Sequence, residues 1–123
     1  MIFTKQKYSW DCLIACICSL LEIDIETVPI KEKPLNADDF WKVILQWIGA
    51  LGYGMIWDED PERYSKLYPN AVFIGSGPSD IKDDEWHSVL YKNGEIIFNP
   101  SPRDYGVTYI DTLDIIVPLF VEK

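Results

Sequence analysis

The chain has a single histidine and few basic residues: eleven lysines and arginines oppose twenty aspartates and glutamates. The formal net charge of −9 repels phosphate backbones, so direct binding of nucleic acid is not expected, whereas basic partners are attracted. One imidazole also cannot supply a metal centre built from several histidines. No pattern in the chain implies a metal or cofactor, and none is expected.

Long apolar runs are missing as well. The longest candidate, from Cys12 to Leu21, is well short of the about 20 apolar residues that cross a bilayer. Lys7, Ser9 and Asp11 precede it, where a secretion or lipoprotein signal requires an apolar segment. We therefore expect a cytoplasmic protein without membrane contact, in which the few cysteines are thiols and not disulfides.

The composition is that of one folded domain, which we expect to comprise residues 1–123. Apolar residues make up 48% of the chain and aromatic residues 14%, both ordinary values for a globular protein. Helical patterns occupy the first half, and short β-rich runs follow from residue 71 onward. This order predicts an α+β fold in which helices pack on a mostly antiparallel sheet.

The first predicted helix extends from Cys12 to Glu22, with Asp11 placed as its N-cap. Apolar residues occupy nearly its whole circumference, which predicts a buried central helix with Cys12 at the bottom of a cleft. A cysteine at a helix N-terminus meets free amide groups and the positive end of the helix dipole, and both favour the thiolate. Cys12 is therefore expected to be reactive, whereas Cys16 and Cys18 are expected in the core.

Two further helices and several strands complete the prediction. The second helix is capped by Asn36 and ends at Gly52, and the third begins at Asp60-Pro61 and stops at Pro69. The expected core face of the second helix comprises Phe40, Val43, Ile44, Trp47, Ile48 and Leu51. Strands are expected at residues 71–74, 87–91, 95–98 and 115–121, with a further strand at 54–57.

Several short patches resemble one family of enzymes. The segment from Gln6 to Cys16 has the form Q-x4-D-C-x2-A, and Trp86-His87-Ser88-Val89 and Phe98-Asn99-Pro100 follow far downstream. These patches resemble the papain-like cysteine peptidases, and they are most similar to the compact bacteriocin-leader-processing peptidases and their stand-alone relatives. The resemblance implies a papain-like fold whose N-terminal buried helix carries the cysteine.

By this resemblance, Cys12 is the nucleophile, His87 the general base, Asn99 the residue that orients the imidazole, and Gln6 an oxyanion donor. Leu13 stands where the family usually has glycine, and Asn99 stands where the leader-processing relatives generally have aspartate. The chemistry of the residue types agrees with these roles. A thiol needs a base near neutral pH, and an imidazole that serves as this base must donate its other nitrogen's proton to an acceptor oxygen.

The loop between two predicted strands decides whether His87 meets Asn99. Lys92-Asn93-Gly94 permits either a two-residue Asn-Gly turn or a three-residue loop with Gly94 in the left-handed conformation. The two-residue turn pairs Asn99 with Ser88 and turns it away from His87, whereas the three-residue loop sets His87 opposite Asn99. We predict the three-residue loop with a bulge at Gly94.

The expected function is that of a cysteine peptidase or deconjugase that cleaves a peptide or isopeptide bond, after a small residue such as glycine, through an acyl-enzyme. The expected substrate-binding residues are Trp10, Leu13, Trp57 and Trp86. The alternatives are an amidase or acyltransferase on the same fold, and a non-catalytic acidic protein that blocks a basic partner. The substrate is expected to be a peptide or protein with a glycine-containing tail and basic residues nearby.

We expect the walls of the cleft to be aromatic and acidic. The second helix and the region after Trp57 are expected to build these walls. The aromatic and acidic residues behind this expectation are Trp57, Tyr64, Tyr68, Tyr105, Asp58, Glu59, Asp60 and Asp104. The acidic clusters at 58–60 and 83–85 are typical of solvated loops, and the alternative is that they line the cleft and select basic substrate residues. If Asn99 faces away from His87, the residues to test in its place are Asp80, Asp83 and Asp84.

Overall fold

The computed structural model describes residues 1–81, 85–102 and 105–122. Within these ranges the α-helices are α1 (Cys12–Leu21), α2 (Ala37–Ala50) and α3 (Pro61–Leu67), and a 3-10 turn spans Ile25–Thr27. The strands are β1 (Tyr53–Asp58), β2 (Phe73–Pro78), β3 (Trp86–Lys92), β4 (Glu95–Phe98) and β5 (Thr112–Pro118). The predicted α+β class is confirmed.

The described strands form one antiparallel sheet in the order β1-β5-β2-β3-β4. Helices α1 and α2 pack on one face, where their apolar residues join those of β1, β2 and β3 in the main core. A second apolar cluster contains residues from β2, β3 and β5, and Tyr64 of α3 packs against it. The sheet therefore lies between α1 and α2 on one side and α3 on the other.

Helix α1 is the centre of the main core. All eight residues from Cys12 to Ser19 are buried, and the helix contacts β2 and β3. Cys16 and Cys18 are unpaired thiols that are 0% exposed, as expected of core residues. No helix in the described ranges is long and apolar enough to cross a membrane.

Asp11 is the N-cap residue of α1, as the sequence predicts, but its side chain does not cap the helix. Its side chain makes no capping hydrogen bond. Its carboxylate instead accepts from the backbone amides of Lys7 (3.0 Å) and Tyr8 (2.8 Å). Asp11 thus fixes the loop before the helix, and the first-turn amides of α1 receive no acceptor from it.

Helix α2 begins and ends where the sequence predicts. The Asn36 side chain accepts from a backbone amide of the first turn at 2.9 Å, and Gly52 follows the helix with a φ of +93°. The buried residues of the helix are Ile44, Trp47 and Ile48. Leu51 is 47% exposed, so its predicted core position is wrong. Leu51 lies beyond the last helical residue, where the helical period no longer sets the direction of a side chain.

The hairpin between β3 and β4 closes through a two-residue turn, so the predicted three-residue loop is wrong. Lys92 pairs with Glu95 across the turn. Asn93 and Gly94 both have positive φ, of +50° and +81°. Two such residues in succession match the right-handed twist of the flanking strands, and asparagine and glycine adopt this conformation most readily.

A bulge beyond this turn brings Asn99 back into contact with His87, although the turn has two residues. The ladder shifts by one residue between Leu90 and Tyr91, where Ile97 is the extra residue of β4. Because a shift of one residue exchanges the two faces of a strand, Asn99 returns to the face that carries His87. The sequence does not reveal this bulge, since Ile97 resembles its apolar neighbours.

The observed bounds of β2 and β5 differ from the predicted ones. Strand β2 continues through Gly75-Ser76-Gly77, where the sequence predicts an end at Ile74. Glycine is required here by a close approach, because a Cβ atom on Gly77 would lie 1.8 Å from the carbonyl oxygen of Tyr109. Strand β5 spans 112–118 and not 115–121, which places Asp114 inside the sheet.

Candidate active site

Cys12 is the first residue of α1, and its thiol lies against Ser88 of β3. Hydrogen bonds from the amide and hydroxyl of Ser88 and from the amide of Leu13 favour the thiolate. Burial outweighs them and raises the pKa of the Cys12 thiol, since only 9% of the residue is exposed. The helix start therefore does not lower the pKa of Cys12 as the sequence suggests, and the thiol keeps its proton near neutral pH.

Cys12 still differs from the other two cysteines. Burial raises the pKa of Cys16 well above its usual value and that of Cys18 to about 12. Among the described residues, no hydrogen bond opposes these two shifts, whereas Ser88 and Leu13 oppose the shift at Cys12. Cys12 also lines a cavity that the other two thiols do not line. It is the cysteine that a reagent or substrate reaches most easily.

His87 is buried against Asn99, as the sequence predicts. The imidazole Nε2 and the Asn99 Oδ1 are 2.6 Å apart. Asn99 is itself fixed, because its Nδ2 donates to the Tyr105 carbonyl at 2.5 Å and its Oδ1 accepts from the Ser101 amide at 3.1 Å. An amide oxygen only accepts hydrogen bonds, so the imidazole carries its proton on Nε2. The other ring nitrogen, Nδ1, is then free to act as the base.

The surroundings of His87 keep its imidazole neutral. Burial lowers the pKa of His87, against smaller opposing effects from the Asn99 hydrogen bond and the Asp80 carboxylate. The residue is 2% exposed, and the ring of Tyr105 covers it at a centroid distance of 5.1 Å. A neutral imidazole is the form that can accept a proton from a thiol.

The Cys12 thiol lies beside Ser88, the residue after His87, and makes no contact of this kind with the His87 imidazole. The thiol contacts Ser88, and successive side chains of a strand point to opposite faces. The hydrogen bonds of the described residues include none between the Cys12 thiol and the His87 ring. Proton transfer between these groups therefore requires a closer approach than the resting structure holds.

Tyr105 links Gln6 to His87. The Nε2 of Gln6 donates to the Tyr8 carbonyl at 2.7 Å and to the Tyr105 hydroxyl at 3.3 Å. Both amide protons are thus engaged, so the predicted oxyanion donor is not free in this state. The Gln6 Oε1 is buried and has no hydrogen-bond partner within the described residues. An unpaired buried acceptor costs about 1–3 kcal/mol, which a rearrangement of Gln6 would relieve.

A cavity of about 440 Å3 opens beside the Cys12 thiol. The four predicted substrate-binding residues all line it, namely Trp10, Leu13, Trp57 and Trp86. Phe40 and Trp41 of α2 complete an aromatic wall. The volume lies within the about 300–1,000 Å3 that is typical of small-ligand sites.

The remainder of the predicted cleft wall lies elsewhere. Tyr64 packs against Phe73 on the α3 side of the sheet, which is opposite to the cavity. Tyr105 lies against His87, and neither Tyr68 nor the acidic segment 58–60 lines the cavity. The predicted residues Asp83, Asp84 and Asp104 lie outside the described residues.

The acidic residue of the cavity is Asp114, which the sequence reasoning missed. Its Oδ2 accepts from the Ser76 hydroxyl at 2.6 Å, and the hydroxyls of Ser76 and Ser88 are 2.9 Å apart. A chain of hydrogen bonds thus connects Asp114 to the serine that contacts Cys12. Burial raises the pKa of Asp114 to about 6, against hydrogen bonds from Ser76 and Trp57. The sequence signal was one acidic residue in an otherwise apolar run, which is uncommon without a specific role.

No protein-family model, curated protein or solved structure matches this chain. The resemblance to the papain-like peptidases is therefore a hypothesis that depends on the short motifs around Cys12, His87 and Asn99. The geometry of these residues and the chemistry of the cavity have to support any function on their own.

Proposed function

We propose that the protein is a cysteine peptidase-like hydrolase with a papain-like arrangement, in which Cys12 is the nucleophile, His87 the general base and Asn99 the residue that orients the imidazole. The observation that carries the proposal is the 2.6 Å contact between His87 Nε2 and Asn99 Oδ1. This contact holds the only histidine of the chain in the tautomer that can deprotonate a thiol. Cys12 adds support, since it combines a helix start with access to an aromatic cavity.

Both reacting groups are neutral at rest, so the reaction begins with a proton transfer. Once a rearrangement brings His87 Nδ1 to the Cys12 sulfur, Nδ1 takes the thiol proton as the sulfur bonds to the carbonyl carbon, and the electron pair of the C=O double bond moves onto oxygen. The first-turn amides of α1, which Asp11 leaves uncapped, stabilise that oxyanion, and Gln6 joins them once its amide leaves Tyr105. Collapse breaks the C–N bond, and the imidazolium gives its proton to the leaving amine. Water then hydrolyses the thioester with the same base.

The proposed substrate is a flexible tail that is cleaved at a peptide or isopeptide bond after a small residue such as glycine. Leu13 borders the thiol and narrows the approach, which favours an extended chain with little side chain at the reacting position. The same apparatus also supports amidase and acyltransferase reactions, because it does not dictate the leaving group or the acceptor. We place the activity in the cytoplasm, where reducing conditions suit three unpaired cysteines.

The proposal is tested by peptide hydrolysis with the wild type, Cys12→Ala and His87→Gln. We expect each substitution to lower kcat/KM by at least about 100-fold, since general acid–base catalysis alone contributes about 10²–10⁴-fold. Cys18→Ala is the matched control, because Cys18 is buried in α1 away from the cavity, and it should retain the wild-type kcat/KM. Undiminished hydrolysis by Cys12→Ala would remove Cys12 from the mechanism.

A non-catalytic binding protein is the second candidate. The observation that favours it is the buried, neutral Cys12 thiol, which contacts Ser88 and not the His87 ring. In this case the cavity holds part of a basic partner, which the net charge of −9 attracts. Cys12→Ser and Cys12→Ala would then bind that partner equally well, and the wild type would form no acyl adduct.

A further inference from the structure

The cavity beside Cys12 combines an aromatic wall with one carboxylate. Five aromatic residues line it: Trp10, Phe40, Trp41, Trp57 and Trp86. Asp114 also lines it, from β5. No lysine, arginine or histidine of the described chain is among the lining residues. The cavity therefore offers a negative charge and aromatic faces, with no positive charge of its own.

The charge of Asp114 is held in place but is not balanced. The residue is 3% exposed, and its carboxylate receives hydrogen bonds from Ser76 and Trp57. None of the ion pairs within the described residues includes Asp114. A buried charge with neutral hydrogen-bond partners alone is unfavourable, and an opposite charge that enters the cavity would compensate it.

We propose that this cavity binds the side chain of a lysine or arginine, with its cationic group against Asp114 and its alkyl stem between the tryptophans. Aromatic faces attract cations most strongly where water is excluded, and tryptophan is the best of them. The apolar stem of either side chain is suited to the same wall.

The position of the cavity places a bound basic side chain beside the proposed nucleophile, Cys12. Cys12 and Leu13 line the cavity together with Asp114, so a chain whose basic side chain fills it passes the thiol. The basic residue is then one of those near the cleaved bond, while the residue at the bond itself stays small. That the ligand belongs to a substrate rests on the proposed function, whereas the binding of a basic side chain does not.

The test measures the affinity of Cys12→Ala protein for peptides that differ at one residue. The peptides carry lysine, arginine, norleucine or glutamate at each of the positions flanking a glycine, and calorimetry gives Kd. We expect the best lysine or arginine peptide to bind at least about tenfold more tightly than its norleucine counterpart. Equal affinity for the lysine, arginine and norleucine peptides would overturn the proposal, and it would identify the cavity as a purely apolar subsite.

Two further variants on the Cys12→Ala background separate the site from the general charge of the protein. Asp114→Asn should remove the preference for lysine over norleucine while the norleucine peptide binds as before. Glu59→Gln removes an exposed acid outside the cavity and should leave the preference intact. Equal loss of preference in both variants would show that overall charge, and not this cavity, selects the basic residue.

The pH dependence of Cys12→Ala protein provides a second measurement if Asp114→Asn does not fold. The preference for lysine should disappear as the pH falls below about 6, where Asp114 becomes protonated. In the part of the chain that the structure describes, Cys16 is the other titratable group that interacts with Asp114. Burial raises the pKa of Cys16, so it stays a neutral thiol in this range. A preference that persists unchanged to about pH 4 would contradict the role of Asp114.

Hydrolysis by the wild type distinguishes failure of this inference from failure of the proposed function. Selective binding of basic peptides without cleavage would leave the cavity assignment intact and refute the hydrolase. Cleavage with no preference for a basic residue would support the hydrolase and refute the cavity assignment.

Discussion

Replacement of Asp114 by asparagine should raise the stability of the protein relative to the wild type as the pH rises from acidic to neutral values. Burial shifts the pKa of this carboxyl from 3.8 to about 6. The folded protein therefore binds the proton more tightly than the unfolded chain. The stability that the protonated group contributes is complete below about pH 4 and is lost as the pH rises through about 6.

The size of the effect follows from the shift. Each pKa unit corresponds to about 1.4 kcal/mol, so ionised Asp114 lowers the free energy of unfolding by about 3 kcal/mol near pH 7 relative to pH values well below 4. Asparagine cannot ionise, and it keeps the shape and an acceptor oxygen for the Ser76 hydroxyl, but its amide nitrogen cannot accept from Trp57. That loss is the same at every pH. The difference in the free energy of unfolding between the variant and the wild type should therefore change by about 3 kcal/mol over this pH interval, in favour of the variant.

Urea unfolding of both proteins at a series of pH values measures this difference. Subtraction of one curve from the other cancels the other titrating groups, provided that they are not coupled to Asp114. Glu59→Gln is the control, and its difference from the wild type should be small at every pH because Glu59 is exposed. A difference for Asp114→Asn that does not change with pH, or that moves in favour of the wild type as the pH rises, would refute the effect of the buried charge.

Three further predictions concern other parts of the molecule. Iodoacetamide should modify Cys12 faster than the other two cysteines in the native protein, because Cys12 alone lines a cavity; peptide mapping after short exposure checks this, and equal rates would contradict it. Asn99→Ala should lower kcat by about 10- to 100-fold. It should also move the acidic limb of the pH–kcat profile to lower pH, because the Asn99 hydrogen bond raises the pKa of His87. An unmoved limb would remove Asn99 from the mechanism. Gly94→Ala should reduce stability by about 1–2 kcal/mol, since its φ is +81°, whereas Gly49→Ala in α2 should not destabilise; urea unfolding compares them, and equal stabilities would contradict the turn geometry.

The sequence correctly predicts those elements of the fold that a single physical rule determines. Helix α1 follows from its uninterrupted apolar circumference, and α2 follows from the Asn36 cap and the final Gly52. The contact of His87 with Asn99 is also predicted, although by the wrong loop. The turn residues permit two registers, and the bulge that decides between them has no side-chain signature.

The parts that the sequence does not predict depend on neighbours that are distant in the chain. Asp11 has the right position and chemistry for a helix cap, but the amides of Lys7 and Tyr8 compete for its carboxylate. Cys12 has the position of a reactive thiolate, but its burial is a property of the packed domain and opposes the effect of the helix start. Asp114 enters the cavity because β5 pairs with both β1 and β2, which local patterns do not specify.

The most direct test of the central claim is the rate at which an electrophilic peptide modifies Cys12. The probe is a lysine-containing peptide whose C-terminal glycine carries a vinyl sulfone, and intact mass followed by peptide mapping locates the adduct. We expect one adduct, on Cys12, and its formation at neutral pH should be at least about 100-fold slower in His87→Gln, because the neutral thiol needs that base. An adduct on Cys16 or Cys18, or an equal rate in His87→Gln, would contradict this claim.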